Sequence, residues 1–493
     1  MIFSTLIFVT VFLPLVLSAS WGTAFILGRL HLRPWPAVNA LLLAASLFFY
    51  FWGEGPGVLW LCASIVVNWI AARLVAGSEK SLSKKVWLGA GIVANLLFLG
   101  YFKYAGFGVR CLNVLAGLGL NVPSIALPLG ISFYTFQAMS YVIDVYRGEV
   151  KPSRGILDFA CYITMFPQLV AGPIVRYIDI EKQLVSRETP LVRIASGMRR
   201  FLCGLVKKAV IANTVAAFAD GAWGYFDAGK VLPVDLAWLA VVAYTLQIYY
   251  DFSGYSDMAI GIGRMLGFDF PENFRHPYCS TSVREFWRRW HISLSTWFRD
   301  YLYIPLGGNR KGLLRTCMNS MIVFALCGLW HGASSMFVIW GLWHGLFLTV
   351  ERLLSFRLKK TVTEVGPVRM ALTRFAGWLY TVAVFLSGWV LFRSATRFSA
   401  LTVFKSLFGL LEPERDTAML YIDAAPKFLV AVVVGIFFAF PVLPAVKAFF
   451  GRRGESVRVF ADGVAWLAVS VCALFAILLI AGGSYNPFIY FRF

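Results

Sequence analysis

The chain is predicted to be an all-α polytopic membrane protein, on three observations. Of its 493 residues 59% are hydrophobic and only 14% charged, against about 25% charged in ordinary soluble domains. Apolar stretches near the ~20 residues that cross ~30 Å of hydrocarbon recur along its length. The polar connections between them are short and basic.

The secure stretches run, in order, from Ser4 to Leu27, Ala37 to Trp52, Val58 to Ala76, Val86 to Phe102, Leu236 to Tyr250, Cys317 to Val350 (long enough for two spans), Phe375 to Phe392, Phe428 to Leu443 and Val464 to Ile480. Ile125 to Val145, Phe159 to Val175 and Phe201 to Ala219 are shorter or broken by Pro and Gly. Irregular backbone at membrane depth belongs where protein encloses it. The expectation is about 11 transmembrane helices, range 9 to 13, plus re-entrant or interfacial helices. The longest polar connection, Arg352 to Pro367, is too short to fold alone, so residues 1–493 read as a single membrane domain.

Met1 to Leu27 lacks a basic leader region and a small-residue cleavage site, so it reads as a retained first span. Arg29 and Arg33 follow it, the Glu54 to Gly57 turn has no Lys or Arg, and Arg73, Lys80, Lys84 and Lys85 follow the third span. The positive-inside rule then places the N-terminus outside. It also places Lys182 to Lys208 in the cytoplasm, giving a basic face that topology and anionic lipid head groups explain first and an attractive field for an anionic donor second. The formal net charge is +20. Eight cysteines show no CxxC spacing, so neither a disulfide framework nor a metal site is implied.

One feature points to chemistry. Gly328-Leu329-Trp330-His331-Gly332 recurs unchanged as Gly341-Leu342-Trp343-His344-Gly345, inside a run from Met318 to Val350 free of Lys, Arg, Asp and Glu. An ionisable group in an apolar span is a functional-site hypothesis by default. On one continuous helix the two histidines, 13 residues apart, would diverge by about 220°. One of them is therefore expected to react. His331 precedes a plausible helix end at Gly332-Ala333-Ser334-Ser335 and is the candidate general base; His344 is expected to pack, with a ring nitrogen bonded to a backbone carbonyl.

Arg284 to Arg315 mixes Trp, Arg and His densely. As a helix it would carry Trp287, Trp290, His291, Leu294 and Trp297 or Phe298 on one face. That is an interfacial aromatic helix, or else a cavity wall bringing His291 toward His331. Pro305 to Gly312 is a Gly-rich turn whose Arg310 and Lys311 could hold a phosphate, though a plain cytoplasmic loop explains the same residues. Asp251 and Asp257 would point to separate sides of a helix, so a structural role, such as accepting from Arg288 or Arg289, suits at least one. No GxSxG elbow, Walker loop or HExxH motif is present.

Phe286 to Asn309, the two pentapeptides, Tyr250 to Phe268 and the terminal Tyr485-Asn486-Pro487-Phe488-Ile489-Tyr490-Phe491-Arg492-Phe493 together make the chain resemble the membrane-bound O-acyltransferase family. The resemblance implies a ring of helices around a funnel-shaped core, with catalytic positions at His331 and His291. It implies an O-acetyltransferase subunit of the bacterial inner membrane, N-terminus periplasmic, that takes acetyl from cytoplasmic acetyl-coenzyme A and passes it outward. The expected partners are a periplasmic acetyltransferase, an exopolysaccharide such as alginate or cellulose reached indirectly, and membrane lipids, with no nucleic acid and no tightly bound cofactor. Arg288, Arg289, Arg310 and Lys311 are candidates for the coenzyme phosphates. A transporter of an acylated metabolite, without transfer chemistry, is the alternative.

Overall fold

The computed structural model describes residues 3–358, 366–483 and 485–489; residues 359–365 of the Arg352 to Pro367 connection and the terminal Tyr490 to Phe493 lie outside them. Regular structure among the described residues is helical throughout, with no strand. Eight helical stretches are long and apolar enough to cross a membrane, or nine if Pro426–Ala439 and Val442–Gly451, bent by 57°, form one broken span. Nine is the lower edge of the expected range and eight falls one short of it. One cause is that Trp35–Gly77, taken as a single stretch of 43 residues, consists of two 20-residue helices, Trp35–Glu54 and Val58–Gly77. They flank the turn Gly55–Gly57, where Gly55 takes φ +56°. Each is about 30 Å long, a full spanning length.

Another cause is the 32-residue helix Val234–Met265, which is not among the eight. It buries Thr245, Gln247, Asp251, Ser253, Ser256 and Asp257, so it is surrounded by protein rather than lipid. Glu455–Ala481 is the opposite case, leaving Leu467, Val471, Leu474, Phe475 and Leu478 exposed. Such a surface is stable only against hydrocarbon.

The backbone forms two compact units, Met1–Leu202 with Tyr255–Glu272, and Cys203–Gly254 with Asn273–Phe493. In the first, Phe3 stacks on Phe8 and Tyr255 at 4.8 and 4.3 Å, and Phe12 and Phe49 both meet Phe166. Asn68 and Asn95 exchange amide bonds of 3.1 and 2.6 Å between Val58–Gly77 and Ser81–Leu99. Two apolar helices are thereby joined by a satisfied polar pair. The helix Ile131–Arg147 is almost wholly buried, and Phe159 to Val175 breaks at Met165 into Ile156–Thr164 and Phe166–Leu169. Gly130, at φ +73°, lies where a Cβ would be 2.5 Å from the Leu169 carbonyl oxygen, so glycine lets the two broken segments meet.

The basic stretch Lys182 to Lys208 is less of a surface feature than its charge suggests. Arg187 is buried and donates to Asn39 and to the Leu266 carbonyl. Arg200 binds Asp257 at 2.7 Å and Glu272 at 2.5 Å. In the second unit Lys208 meets Asp251 at 2.5 Å, each side chain 2% exposed. The expected partners of the two aspartates, Arg288 and Arg289, are thus replaced by Lys208 and Arg200. A cation far along the chain but facing the same helix wins over one nearby in sequence.

The second unit also holds the described end of the chain. Asp251 accepts from the Ile489 amide at 2.7 Å, Lys208 donates to the Pro487 carbonyl, and Asn213 donates to Asn486 at 3.1 Å. Tyr485 donates to Asp220, which also pairs with Arg393.

Candidate active site

The duplicated pentapeptide forms a helical hairpin. Gly312–His331 ends at His331, and the chain reverses through Gly332-Ala333-Ser334 into Ser335–Leu358. A Cβ on Gly328 would lie 2.1 Å from the Phe337 carbonyl oxygen, and one on Gly341 would lie 2.1 Å from that of Phe324. The leading glycine of each copy therefore presses its helix onto the other's backbone. This reciprocal, close antiparallel packing is the physical reason for the repeat. The one-helix geometry that separated His331 from His344 by about 220° does not apply, because the chain turns between them.

Both histidines turn instead toward one indole. Trp340 has its ring centroid 5.1 Å from that of His331 and 5.3 Å from that of His344, both edge-on. His331 also meets Trp330 at 4.9 Å and Phe392 at 5.2 Å. His344 packs against Trp287 at 5.0 Å and Phe286 at 6.4 Å, and its Nε2 abuts Gly388, where a Cβ would come within 2.5 Å. The packing expected of His344 is present. The backbone-carbonyl bond is absent, and neither ring nitrogen has a hydrogen-bond partner among the described residues.

The helix expected through His291 is broken there. Val283–Arg289 stops at an extended Trp290, and His291 takes φ +43°, ψ +55° before Ile292–Phe298 begins. A left-handed histidine costs roughly 1–2 kcal/mol, so something must hold it. Asn273 does. Its carbonyl accepts from the Ile292 amide at 3.0 Å; its side-chain Oδ1 accepts from the Ser293 amide and hydroxyl at 3.2 and 2.9 Å. Oδ1 also lies 3.1 Å from His291 Nδ1. An oxygen already accepting from a backbone N–H can only accept from the imidazole, so Nδ1 carries the proton and Nε2 keeps its lone pair.

The His291 ring is 1% exposed, and Nε2 has no hydrogen-bond partner among the described residues. Burial pushes its pKa down to about 3, which keeps it neutral. Phe252 meets the ring edge-on at 4.6 Å, and Trp330 lies 6.1 Å away, centroid to centroid. Trp330 thus touches both His291 and His331. The structure gives these two histidines one indole as a common neighbour.

Among the described residues, the four candidate phosphate-binding cations make no hydrogen bond, ion pair or ring contact with the His291–His331 aromatic cluster. Arg289 is held by Glu285 at 2.7 Å, the Arg275 carbonyl and Cys279. Arg288, Arg310 and Lys311 are exposed. Among the described residues no cluster of His, Cys, Asp or Glu could hold a metal ion.

Sequence reasoning missed Asn273, Glu351 and Phe392. Glu351 accepts from the Val283 and Arg284 amides at 2.5 and 3.1 Å, capping the Trp-rich helix. It is the first acid after the uncharged run, and that position was its one visible mark.

A family model for membrane-bound O-acyltransferases matches residues 150–385, a span containing Asn273, His291, His331, Trp340 and His344. Over its full length the chain is 39% identical to the probable alginate O-acetylase of Azotobacter vinelandii, itself covered completely. The chain belongs to the membrane-bound O-acyltransferase family. It is 33% identical to the peptidoglycan O-acetyltransferase of Helicobacter pylori across all of this chain and 98% of that one. To the teichoic acid D-alanyltransferase of Bacillus subtilis it is 28% identical over 42% of this chain and 55% of the other. As a membrane-bound O-acyltransferase it is an enzyme of acyl transfer, so the transporter alternative falls away.

Proposed function

We propose that this membrane-bound O-acyltransferase is an inner-membrane O-acetyltransferase, its N-terminus periplasmic, that accepts acetyl from cytoplasmic acetyl-coenzyme A. The acetyl passes to a periplasmic partner protein and from there to hydroxyls of an exopolysaccharide such as alginate. The observation that supports this reading best is that the Trp330 indole packs against both His291 and His331. His331 acts as general base on the acceptor hydroxyl. The freed oxygen attacks the thioester carbonyl carbon, and the tetrahedral adduct collapses with loss of the coenzyme thiolate, which recovers the proton from the imidazole. His291, with Nδ1–H held by Asn273, offers its Nε2 lone pair to the same reacting groups. Arg288, Arg289, Arg310 and Lys311 serve the coenzyme phosphates from outside the aromatic cluster.

The two O-acetylating relatives support acetyl as the transferred group and a polymer as the final acceptor. The test supplies labelled acetyl-coenzyme A to purified protein reconstituted in vesicles with its periplasmic partner. Free coenzyme thiol outside and label on the partner inside, in equal amounts, is the expected result. Thiol release with label retained on the donor side would overturn the transmembrane part of the reading.

A further inference from the structure

The mechanism above leaves one charge without a partner, the oxyanion that forms as the thioester carbonyl is attacked. Electrostatic stabilisation of that oxygen by preorganised donors is commonly the largest single contribution to acyl transfer. Trp340 is 1% exposed, yet its indole N–H has no acceptor among the described residues. An orphaned buried donor costs stability, and such a group calls for a reason. Its ring cannot turn aside, since Phe392 at 5.0 Å, Trp287 at 5.7 Å and Trp389 at 6.3 Å enclose it. It stands edge-on to His331.

We infer that the Trp340 N–H is the hydrogen-bond donor that receives the oxyanion of the acyl-transfer intermediate. This rests on His331 being the base of the reaction. As the acceptor oxygen bonds to the carbonyl carbon, the carbonyl π electrons move onto oxygen, and that oxygen accepts from Trp340. When the C–S bond breaks, the electrons return to re-form the carbonyl and the hydrogen bond relaxes. No proton leaves the indole. Trp287 also has a buried indole N–H without an acceptor among the described residues, but its ring packs edge-on against His344, Phe324 and Trp340. It is the natural control.

The experiment replaces Trp340 with β-(3-benzothienyl)alanine, which keeps the shape of the bicyclic ring and exchanges N–H for sulfur. The expected result is a fall in kcat of about 10²–10³-fold with KM for acetyl-coenzyme A within about twofold. The same replacement at Trp287 leaves kcat within a few-fold. An unchanged kcat for the position 340 analogue in a chain whose His331→Ala variant is inactive would overturn the role of Trp340 alone. A fully active His331→Ala variant would instead overturn the reading beneath it. Should the analogue prevent assembly, fluorinated tryptophans at 340 keep the question open to measurement. A kcat that tracks indole N–H acidity supports the donor role, and a flat series refutes it.

Discussion

Asn273 Oδ1 accepts from the amide and hydroxyl of Ser293 and lies 3.1 Å from His291 Nδ1, so one amide oxygen sets both the imidazole tautomer and the start of the next helix. The two roles separate in mutants. Asn273→Ala leaves Nδ1–H without its partner and is expected to lower kcat by about 10–100-fold, the scale of losing a group that orients a reactive imidazole. Stability should fall by about 1–3 kcal/mol, because buried donors lose their acceptor. Asn273→Asp keeps an acceptor for all three donors and should retain more activity than the alanine variant. Turnover and thermal unfolding of the two proteins, measured side by side, check both expectations.

The depressed pKa of His291 has a definite pH signature. In the unfolded chain this group titrates near 6.5, in the folded protein at about 3, with burial as the cause. Between those values the unfolded state binds more protons, so stability rises with pH there and levels off above 6.5. The contribution is complete above the unfolded pKa and lost as the medium acidifies. His291→Gln removes the group, and its unfolding free energy should show a shallower acid slope than that of the parent between pH 6.5 and 4. Equal slopes would mean that His291 is not buried in its neutral form.

The hairpin seam makes the leading glycines of the repeat more demanding than their histidines. In Gly328→Ala and Gly341→Ala the new methyl group would meet a carbonyl oxygen at 2.1 Å. Backbone cannot swing away as a side chain can, so each helix must shift outward. Each variant is expected to lose on the order of 1–3 kcal/mol, seen as a lower unfolding temperature in detergent. Gly345→Ala, whose nearest contact is the Met321 sulfur at 3.0 Å, should lose less, since a thioether can move.

Much of this was legible in the sequence. Span after span followed from apolar runs, and the break near Pro167 from its helix breakers. His291 and His331 stood out because imidazoles are rare in such surroundings. What the sequence concealed was set by contacts between distant residues. The Trp-rich stretch has helical periodicity on both sides of His291, and only Asn273, 18 residues upstream, forces the left-handed residue between. The sequence shows the repeat but not its cause, because nothing in it tells that the leading glycines, which join two backbones, face one another. The charge of Lys182 to Lys208 suggested a surface, but Arg187, Arg200 and Lys208 are consumed by internal partners.

The Lys208–Asp251 pair yields a sharper expectation than its burial alone. Lys208→Met strands a carboxylate that is 2% exposed, at a cost of about 3–5 kcal/mol. Lys208→Met combined with Asp251→Asn removes both charges, while asparagine can still accept from the Ile489 amide. The double variant should recover most of the loss in chemical or thermal unfolding. A double variant as unstable as the single would show that the Lys208 contact with Pro487, and not the ion pair, dominates.

Acyl transfer through His331, with its twin in the repeat only packing, is open to a simple comparison. The most direct measurement is the rate of coenzyme thiol release from acetyl-coenzyme A by His331→Ala and His344→Ala, each verified as folded by its unfolding temperature. The expected loss is about 10²–10⁴-fold for His331→Ala and under tenfold for His344→Ala. A folded His331→Ala protein that releases thiol at the parent rate would contradict it.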